Sequence, residues 1–305
     1  MRSRIRVFQV DAFTSQRFSG NPAGVVLDAD ALGADDMQAL ARELNNADTA
    51  YLLRADGDDH DLRVRFFTPR REAAFVGHAT LAAHAVLASL KLPPRRRQKQ
   101  SSGIVEVDTI VSASPPRIAL HLPVPAMRRA LAERELGEVL SALGLARADL
   151  DPACPPTIAG DSGTRLLLGL EHGASLARLQ PDPVALNQLS QQLDAAGYFL
   201  FSRRPSLVDV LIESRMFCPA LGIPEDPVSG NAHALLGAYL WQQGLLGREG
   251  PAAADSGTIE FSGAQGHHLG RPGRVTVALS LRGERLQSIS IIGEAVVVFE
   301  TALEF

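Results

Sequence analysis

Two cysteines, Cys154 and Cys218, are all that the 305 residues contain, and with no CxxC pair they exclude a disulfide framework and a cysteine-built zinc site. Both are expected as reduced thiols. An excess of one charge is also lacking, because 30 basic residues against 34 acidic ones leave a formal net charge of −4, which exerts no global pull on nucleic acid or anionic membrane. The densest basic stretch, Arg95 to Arg97 with Lys99, follows Pro93-Pro94 and holds no aromatic residue on which a base could stack. It reads as a solvated loop. No run of about 18 apolar residues occurs, and Met1 to Val10 passes straight into an alternating pattern without a leader-like apolar region. A cytoplasmic protein with no membrane or nucleic-acid partner is expected. HExxH, a strand-linked GxGxxG, a Walker A sequence and a GxSxG elbow are all absent. His78 and His84 do not share a helical face, and His267-His268 diverge in any regular structure, so no metal site is expected. Nothing calls for a nucleotide, flavin or metal, and the chemistry open to carboxylates, imidazoles and backbone amides is proton transfer.

What is present is a globular composition, 46% hydrophobic and 21% charged, with enough apolar residues for a sizeable core. Arg6 to Phe13 alternates as an opening strand with one buried face. A loop with Gly20-Asn21-Pro22 and Gly24 leads to Val25-Val26-Leu27. Met37, Leu40, Ala41 and Leu44 recur at helical spacing after Asp35-Asp36, whose charges suit a helix start. Strand-like runs follow at Thr49 to Leu53 and Leu62 to Phe67, and Ala79 to Leu90 is an apolar, buried-type helix opened by Gly77.

The second half repeats this order. A helix from Val184 to Leu193 precedes strands at Tyr198 to Phe201 and Val208 to Ile212. Arg65-Phe66-Phe67-Thr68-Pro69 is echoed 150 residues later by Arg215-Met216-Phe217-Cys218-Pro219. In each half a glutamate, Glu72 or Glu225, stands five residues before a glycine, Gly77 or Gly230, that opens a small-residue helix. The expected fold is α+β with two pseudo-symmetric lobes, each a curved, mainly antiparallel sheet wrapped around a central helix. The lobes are residues 1–124 and 125–288, with the crossover near Pro123 to Arg129. The last run, Ile289 to Phe299, is free to pair with either lobe, and residues from about 289 to 305 are a candidate strand to complete the first.

A glycine at a helix start lets backbone N–H groups meet an anion such as a carboxylate. On their own, Gly77 and Gly230 are better read as letting a buried helix begin in a crowded place. His78 beside one, and Asp226, Ser229 and Asn231 around the other, add titratable and hydrogen-bonding groups to both starts. Asp48 lies between the first helix and the strand at Thr49, where it also suits a turn.

Val10-Asp11-Ala12-Phe13-Thr14, Gly20-Asn21-Pro22-Ala23-Gly24, Phe67-Thr68-Pro69, Gly77-His78-Ala79-Thr80, Asp226-Pro227-Val228-Ser229-Gly230-Asn231-Ala232 and Gln265-Gly266 with Gly270-Arg271-Pro272 occur in order from about residue 5 to about residue 300. This set resembles the PhzF-like family of phenazine biosynthesis. The resemblance implies the diaminopimelate-epimerase-like fold and, by family analogy, a homodimer. It also implies an isomerase that moves a proton within a small carboxylic acid, in characterised members trans-2,3-dihydro-3-hydroxyanthranilate, using no cofactor. Related epimerases use two cysteines, but Val76 and Pro227 stand at those positions, which disfavours thiol-based racemisation. The family's acid/base glutamate lies in an S-E-T-A-F-like motif, and this chain reads Ala47-Asp48-Thr49-Ala50-Tyr51. Asp48 replaces that glutamate with an arm one methylene shorter. Gly77 and His78 match the family's glycine–histidine pair, Asp226 matches a second active-site carboxylate, and Asn231 replaces a serine. The resemblance thus implies Asp48, His78 and Asp226 as catalytic, and together with the helix-start reading it gives Gly77, Ser229, Gly230 and Asn231 as substrate-binding, all expected on one cleft between the lobes. Burial of Asp48 would disfavour its charged form and bring it toward the working pH. Rival readings are a carboxylate/histidine epimerase or racemase, and a catalytically silent small-ligand binder of the same fold.

Overall fold

The computed structural model describes residues 4–94, 96–111, 115–161, 163–246 and 257–304, so Arg95 of the basic stretch lies outside the described residues. The chain divides into two compact units, Met1–Leu122 with Ile291–Phe305, and Pro123–Ser290. Both are α+β.

The first unit holds β1 (Arg4–Ala12), β2 (Asn21–Leu27), α1 (Ala34–Leu44), β3 (Asp48–Arg54), β4 (Leu62–Phe67), β5 (Glu72–Ala73), α2 (Gly77–Ser89), β6 (Arg97–Gln100), β7 (Gly103–Ile110), β8 (Arg117–Leu122) and the final strand, β18 (Ala295–Glu304). Its sheet runs β18-β1-β2-β3-β4-β6-β7-β8, antiparallel except at β2–β3 and β4–β6. Each parallel pair needs a crossover, and α1 and α2 provide them. Side chains alternate between the faces of a strand, so Tyr51 joins Met37, Leu40 and Phe67 in the core under α1, while Asp48, Ala50 and Leu52 face the other way, toward α2. The apolar circumference of α2, with Ala79, Leu81, Ala82, Ala83 and Val86 all buried, holds it there. Full burial of a leucine or valine contributes about 2 kcal/mol.

The second unit holds β9 (Met127–Ala130), α3 (Glu133–Leu143), β10 (Thr157–Ala159), β11 (Arg165–Leu170), the one-turn α4 (Ala174–Ala177), α5 (Pro183–Leu193), β12 (Gly197–Ser202), β13 (Ile212–Cys218), β14 (Ile223–Asp226), α6 (Gly230–Gln242), β15 (Gly257–Gln265), β16 (Gly273–Arg282) and most of β17 (Arg285–Gly293), whose residues from Ile291 on belong to the first. Its sheet runs β9-β10-β11-β12-β13-β15-β16, antiparallel except at β11–β12 and β13–β15. The parallel pairs are again bridged by helices, α5 and α6. Leu166, Leu168, Tyr198 and Leu200 face a core shared with α3 and α5. The opposite face carries α6, on which Ala232, Leu236, Ala238 and Leu240 are buried.

The two R-x-F-x-P segments occupy equivalent strands, β4 and β13. Arg65 donates from Nε (2.7 Å) and Nη2 (2.8 Å) to the two oxygens of Glu72, and Arg215 does so to Glu225 at 2.9 and 2.8 Å. Each guanidinium also lies 5.0 Å from a ring two residues on, Phe67 or Phe217. In both units a strand tyrosine donates its hydroxyl to the fourth residue of the crossover helix, Tyr51 to Met37 O (2.6 Å) and Tyr198 to Leu186 O (2.7 Å). The arginine forks and ring contacts therefore recur at equivalent positions, while the two tyrosines stand two residues apart in register.

Three local readings of the sequence are corrected. The solvated loop at Arg95 to Lys99 is in its described part largely β6, whose Gln98 is fully buried. Its charges meet carboxylates, Arg97 with Asp61 (3.2 Å), Lys99 with Asp56 (3.1 Å) and Arg96 with Asp108 (2.8 Å). The strand expected at Val208 to Ile212 begins only at Ile212, because Asp209 takes the left-handed φ of +59° and breaks the extended backbone. The final run is two strands parted at Glu294, whose carbonyl accepts from Thr14 N at 3.2 Å, and β18 pairs with β1. Both cysteines are free and buried. Among the described residues no helix is long and apolar enough to cross a membrane.

Candidate active-site residues at two helix starts

Asp48 opens β3 on the face turned to α2, and His78 is the second residue of α2. The register of the strand and the start of the helix therefore bring them together, with Asp48 Oδ2 3.7 Å from His78 Nε2 and each side chain 10% exposed. That separation exceeds a hydrogen bond. Burial lowers the His78 pKa from 6.5 to about 4, so the imidazole is neutral near pH 7 and the contact is no ion pair. Its Nε2 is buried and has no hydrogen-bond partner. A buried polar atom left in that state costs about 1–3 kcal/mol, so it calls for a reason, and a catalytic role is one. Gly77 begins α2 behind Val76, which has no side-chain oxygen to cap the helix. The N–H groups of the first turn consequently have no cap from their own N-terminus.

The second helix start is built differently. Ser229 caps α6 by accepting from Ala232 N at 3.3 Å. Gly230 and Asn231 are the first two residues of the helix, and the buried Oδ1 of Asn231 has no hydrogen-bond partner. Asp226 ends β14, where it pairs with Met216. The Cys218 thiol is pushed up to about 12, chiefly by burial, with the Arg165 guanidinium acting against that rise and the Asp226 carboxylate adding to it. Both thiols are thus protonated and inert near neutral pH, since burial also raises Cys154 to about 11.

One residue of the second site escaped the sequence reading. Gln265, 1% exposed at the end of β15, donates from Nε2 to Asp226 O (2.6 Å) and accepts at Oε1 from Ser229 N (3.1 Å). One amide thereby fixes both ends of the segment that leads into α6. Gly266 follows at φ +86°, and a Cβ there would stand 2.2 Å from Arg271 O and 2.8 Å from Pro227 O. Only glycine admits that approach. The Gln265-Gly266 pair was visible as part of a motif, but its bonds join residues 36 and 39 positions apart.

Asp48, His78 and Gly77 thus form one group in the first unit, and Asp226, Ser229, Gly230 and Asn231 another in the second. Asp48 and His78 offer a carboxylate and a neutral imidazole side by side, the donor set of general acid–base chemistry. Among the described residues no cluster of three or more His, Cys, Asp or Glu is arranged to hold a metal ion.

Known proteins resemble this chain along nearly its whole length. An isomerase of otherwise uncharacterised activity from Salmonella typhimurium is 36% identical, with 98% of this chain and 99% of that one covered. Trans-2,3-dihydro-3-hydroxyanthranilate isomerase from Pseudomonas aeruginosa is 30% identical over 94% of this chain and 95% of its own. The crystal structure of a PhzF-family phenazine biosynthesis protein from Bacillus anthracis superposes with a TM-score of 0.85 at 27% identity, covering 99% of both chains. The fold alone extends to a hydroxyproline epimerase from Agrobacterium vitis, with a TM-score of 0.58 at 12% identity over 100% of this chain and 94% of that one. The family described as "Phenazine biosynthesis-like protein" (PhzC-PhzF) matches residues 10–301, and the chain belongs to this family and, like these relatives, is an isomerase.

Proposed function

We propose that this isomerase moves a proton within a small, cyclic or amino-acid-like carboxylic acid, using side chains and backbone amides and no cofactor. Asp48 takes the proton from carbon and returns it at a second position. His78, neutral by burial, donates a hydrogen bond to the atom on which charge develops, and Asp226 relays protons or polarises the substrate. The N–H groups at Gly77 and Gly230, with Ser229 and Asn231, hold the carboxylate. On this reading the protein works in the cytoplasm as a homodimer.

The observation that carries the proposal is the Asp48–His78 pair, 3.7 Å apart and nine-tenths buried. Taking a proton from carbon needs a base close to a group that can meet the developing charge, in a setting where dipoles are already oriented. A turn-forming aspartate would have no use for a buried neutral imidazole beside it. The P. aeruginosa isomerase supports the substrate class by its name, while Asp48 in place of the longer glutamate points to a differently placed reacting carbon.

The test is incubation with a panel of cyclic and amino-acid-like carboxylic acids in deuterated water, after dialysis against a chelator, followed by NMR. Deuterium uptake with migration of a double bond is the expected result. Uptake with inversion at one centre would make the protein an epimerase, and binding without uptake across the panel would contradict the proposal.

A further inference from the structure

Arg165 is a charge for which the chemistry above has no use. It opens β11 and pairs in register with Gly197 of β12, as Ala23 pairs with Asp48 on β2 and β3. The duplication therefore sets Arg165 and Gly197 where the first unit has Ala23 and the acid–base candidate. Leu166 and Tyr198, one residue on, face the α3–α5 core, so Arg165 and Gly197 face α6. A Cβ on Gly197 would come within 3.2 Å of Arg165 Cδ and 2.6 Å of Cys218 Sγ, so the arginine stem lies across the bare glycine. Beside it, the Cys218 thiol feels both the Arg165 guanidinium, which pulls its pKa down, and Asp226, which pushes it up, after the larger effect of burial. Arg165 and Asp226 thus act in opposite directions on one thiol.

The bonding of the guanidinium is one-sided. Nη1 donates to Gly163 O (2.6 Å) and Thr164 O (3.0 Å), while Nε is buried and has no partner. Two other arginines show what belongs on that side, since Arg65 and Arg215 each present Nε and Nη2 to both oxygens of a glutamate. The matching edge of Arg165 meets no carboxylate among the described residues. A planar fork whose buried donor is unmet matches a ligand carboxylate in shape and charge. The buried Oδ1 of Asn231, also without a partner, adds an acceptor at the start of α6.

We propose that Arg165 joins the helix-start amides in binding the carboxylate of a small amino or hydroxy acid, through its Nε–Nη2 edge, while Asn231, whose amide N–H groups face that carboxylate, accepts at Oδ1 from the acid's amino or hydroxyl group. This rests on the reading of the substrate as a small carboxylic acid and assigns its charged group to a residue that Ala23, the counterpart in the first unit, does not provide. The glycine at position 197 is then part of the site, because an aspartate there would neutralise the arginine.

The test follows the Arg165 Nε–H resonance of the full chain by 15N NMR, assigned by its loss in Arg165→Lys. Sodium anthranilate and L-proline serve as amino-acid probes, and 2-aminobenzamide as the uncharged counterpart of the first. A saturable downfield shift is expected with at least one acid and none with the amide. Arg165→Lys, which keeps the charge but loses the fork, should weaken that acid roughly tenfold and leave the amide unchanged. A resonance that stays in place with both acids overturns the proposal, even if the lysine variant fails to fold. So does an equal response to acid and amide. The role of Asp48 is read separately, by deuterium uptake in Asp48→Asn, so either idea can fail while the other stands.

Discussion

The two units share a scaffold and differ where chemistry would occur. Both carry an arginine–glutamate fork, an arginine over a phenylalanine ring, a tyrosine tied to a helix carbonyl and a 13-residue helix opened by glycine. At the helix starts they diverge. The first unit has Ala23, Asp48 and His78 where the second has Arg165, Gly197 and Asn231. The first presents a carboxylate beside a neutral imidazole, and the second has an arginine in the place of Ala23. Where the first copy has the Asp48 side chain, the second has the bare Gly197 with an arginine stem across it.

The difference continues into the interiors. Under α2, Gln98 donates to Thr80 Oγ1 (3.2 Å) and Gln100 Oε1 (2.8 Å) and contacts His84 Nε2 at 3.1 Å. Under α6 the counterpart of Gln98 is Gly263, where a Cβ would stand 2.5 Å from His233. His233 takes the room, with Nδ1 2.8 Å from Ser229 O. Each unit therefore buries polar groups under its helix through a different residue. Both arrangements hold their histidines neutral.

The largest expected effect is on acid stability. Burial lowers His78, His84 and His233 from 6.5 to about 4, so the folded chain binds fewer protons than the unfolded one below pH 6.5. Stability is full above that pH and falls as pH drops toward 4, by up to about 3 kcal/mol for each histidine. Urea unfolding at pH 7, 5.5 and 4.5 checks this, and His233→Gln and His84→Gln should each flatten the slope. Equal stability at pH 7 and 4.5 would break the claim that both units bury neutral imidazoles.

A smaller effect separates the two forks. The Arg215–Glu225 pair is 11% exposed on both sides, against 34% and 38% for Arg65–Glu72. Arg215→Met leaves a buried carboxylate unpaired and should cost about 3 kcal/mol. Arg65→Met breaks the same bonds in water and should cost at most about 1 kcal/mol. Denaturation midpoints of the two variants give the difference directly, and equal losses would show that burial does not distinguish the copies.

Much of the scaffold is legible in the sequence because it rests on local patterns. β4 spans the expected Leu62 to Phe67, α1 and α5 follow their apolar spacing, and the R-x-F-x-P echo marks equivalent strands. The misreadings arise where a single backbone angle or a distant partner decides. Val208 lies in an alternating apolar run, yet the left-handed turn at Asp209 keeps it 79% exposed. Lys99 looks like loop, but β6 is fixed by the pairing of Gln98 with Leu62 and Val105. The nearness of Asp48 to His78 needs the parity of β3 as well as the start of α2. The role of Arg165, and the bonds of the motif residue Gln265, were beyond reach for the same reason: their meaning lies in Gly197, Asp226 and Ser229, each 32 or more residues away.

The most direct measurement is deuterium uptake by Asp48→Asn, compared with the wild-type chain on the acid that the wild type turns over. The substitution keeps size and hydrogen-bonding capacity and removes only the titratable group. The account predicts a fall of at least about 100-fold in uptake, with binding and the thermal midpoint unchanged. Undiminished uptake would contradict Asp48 as the base, and a large drop in thermal midpoint would mean that Asp48 serves the turn before β3 instead.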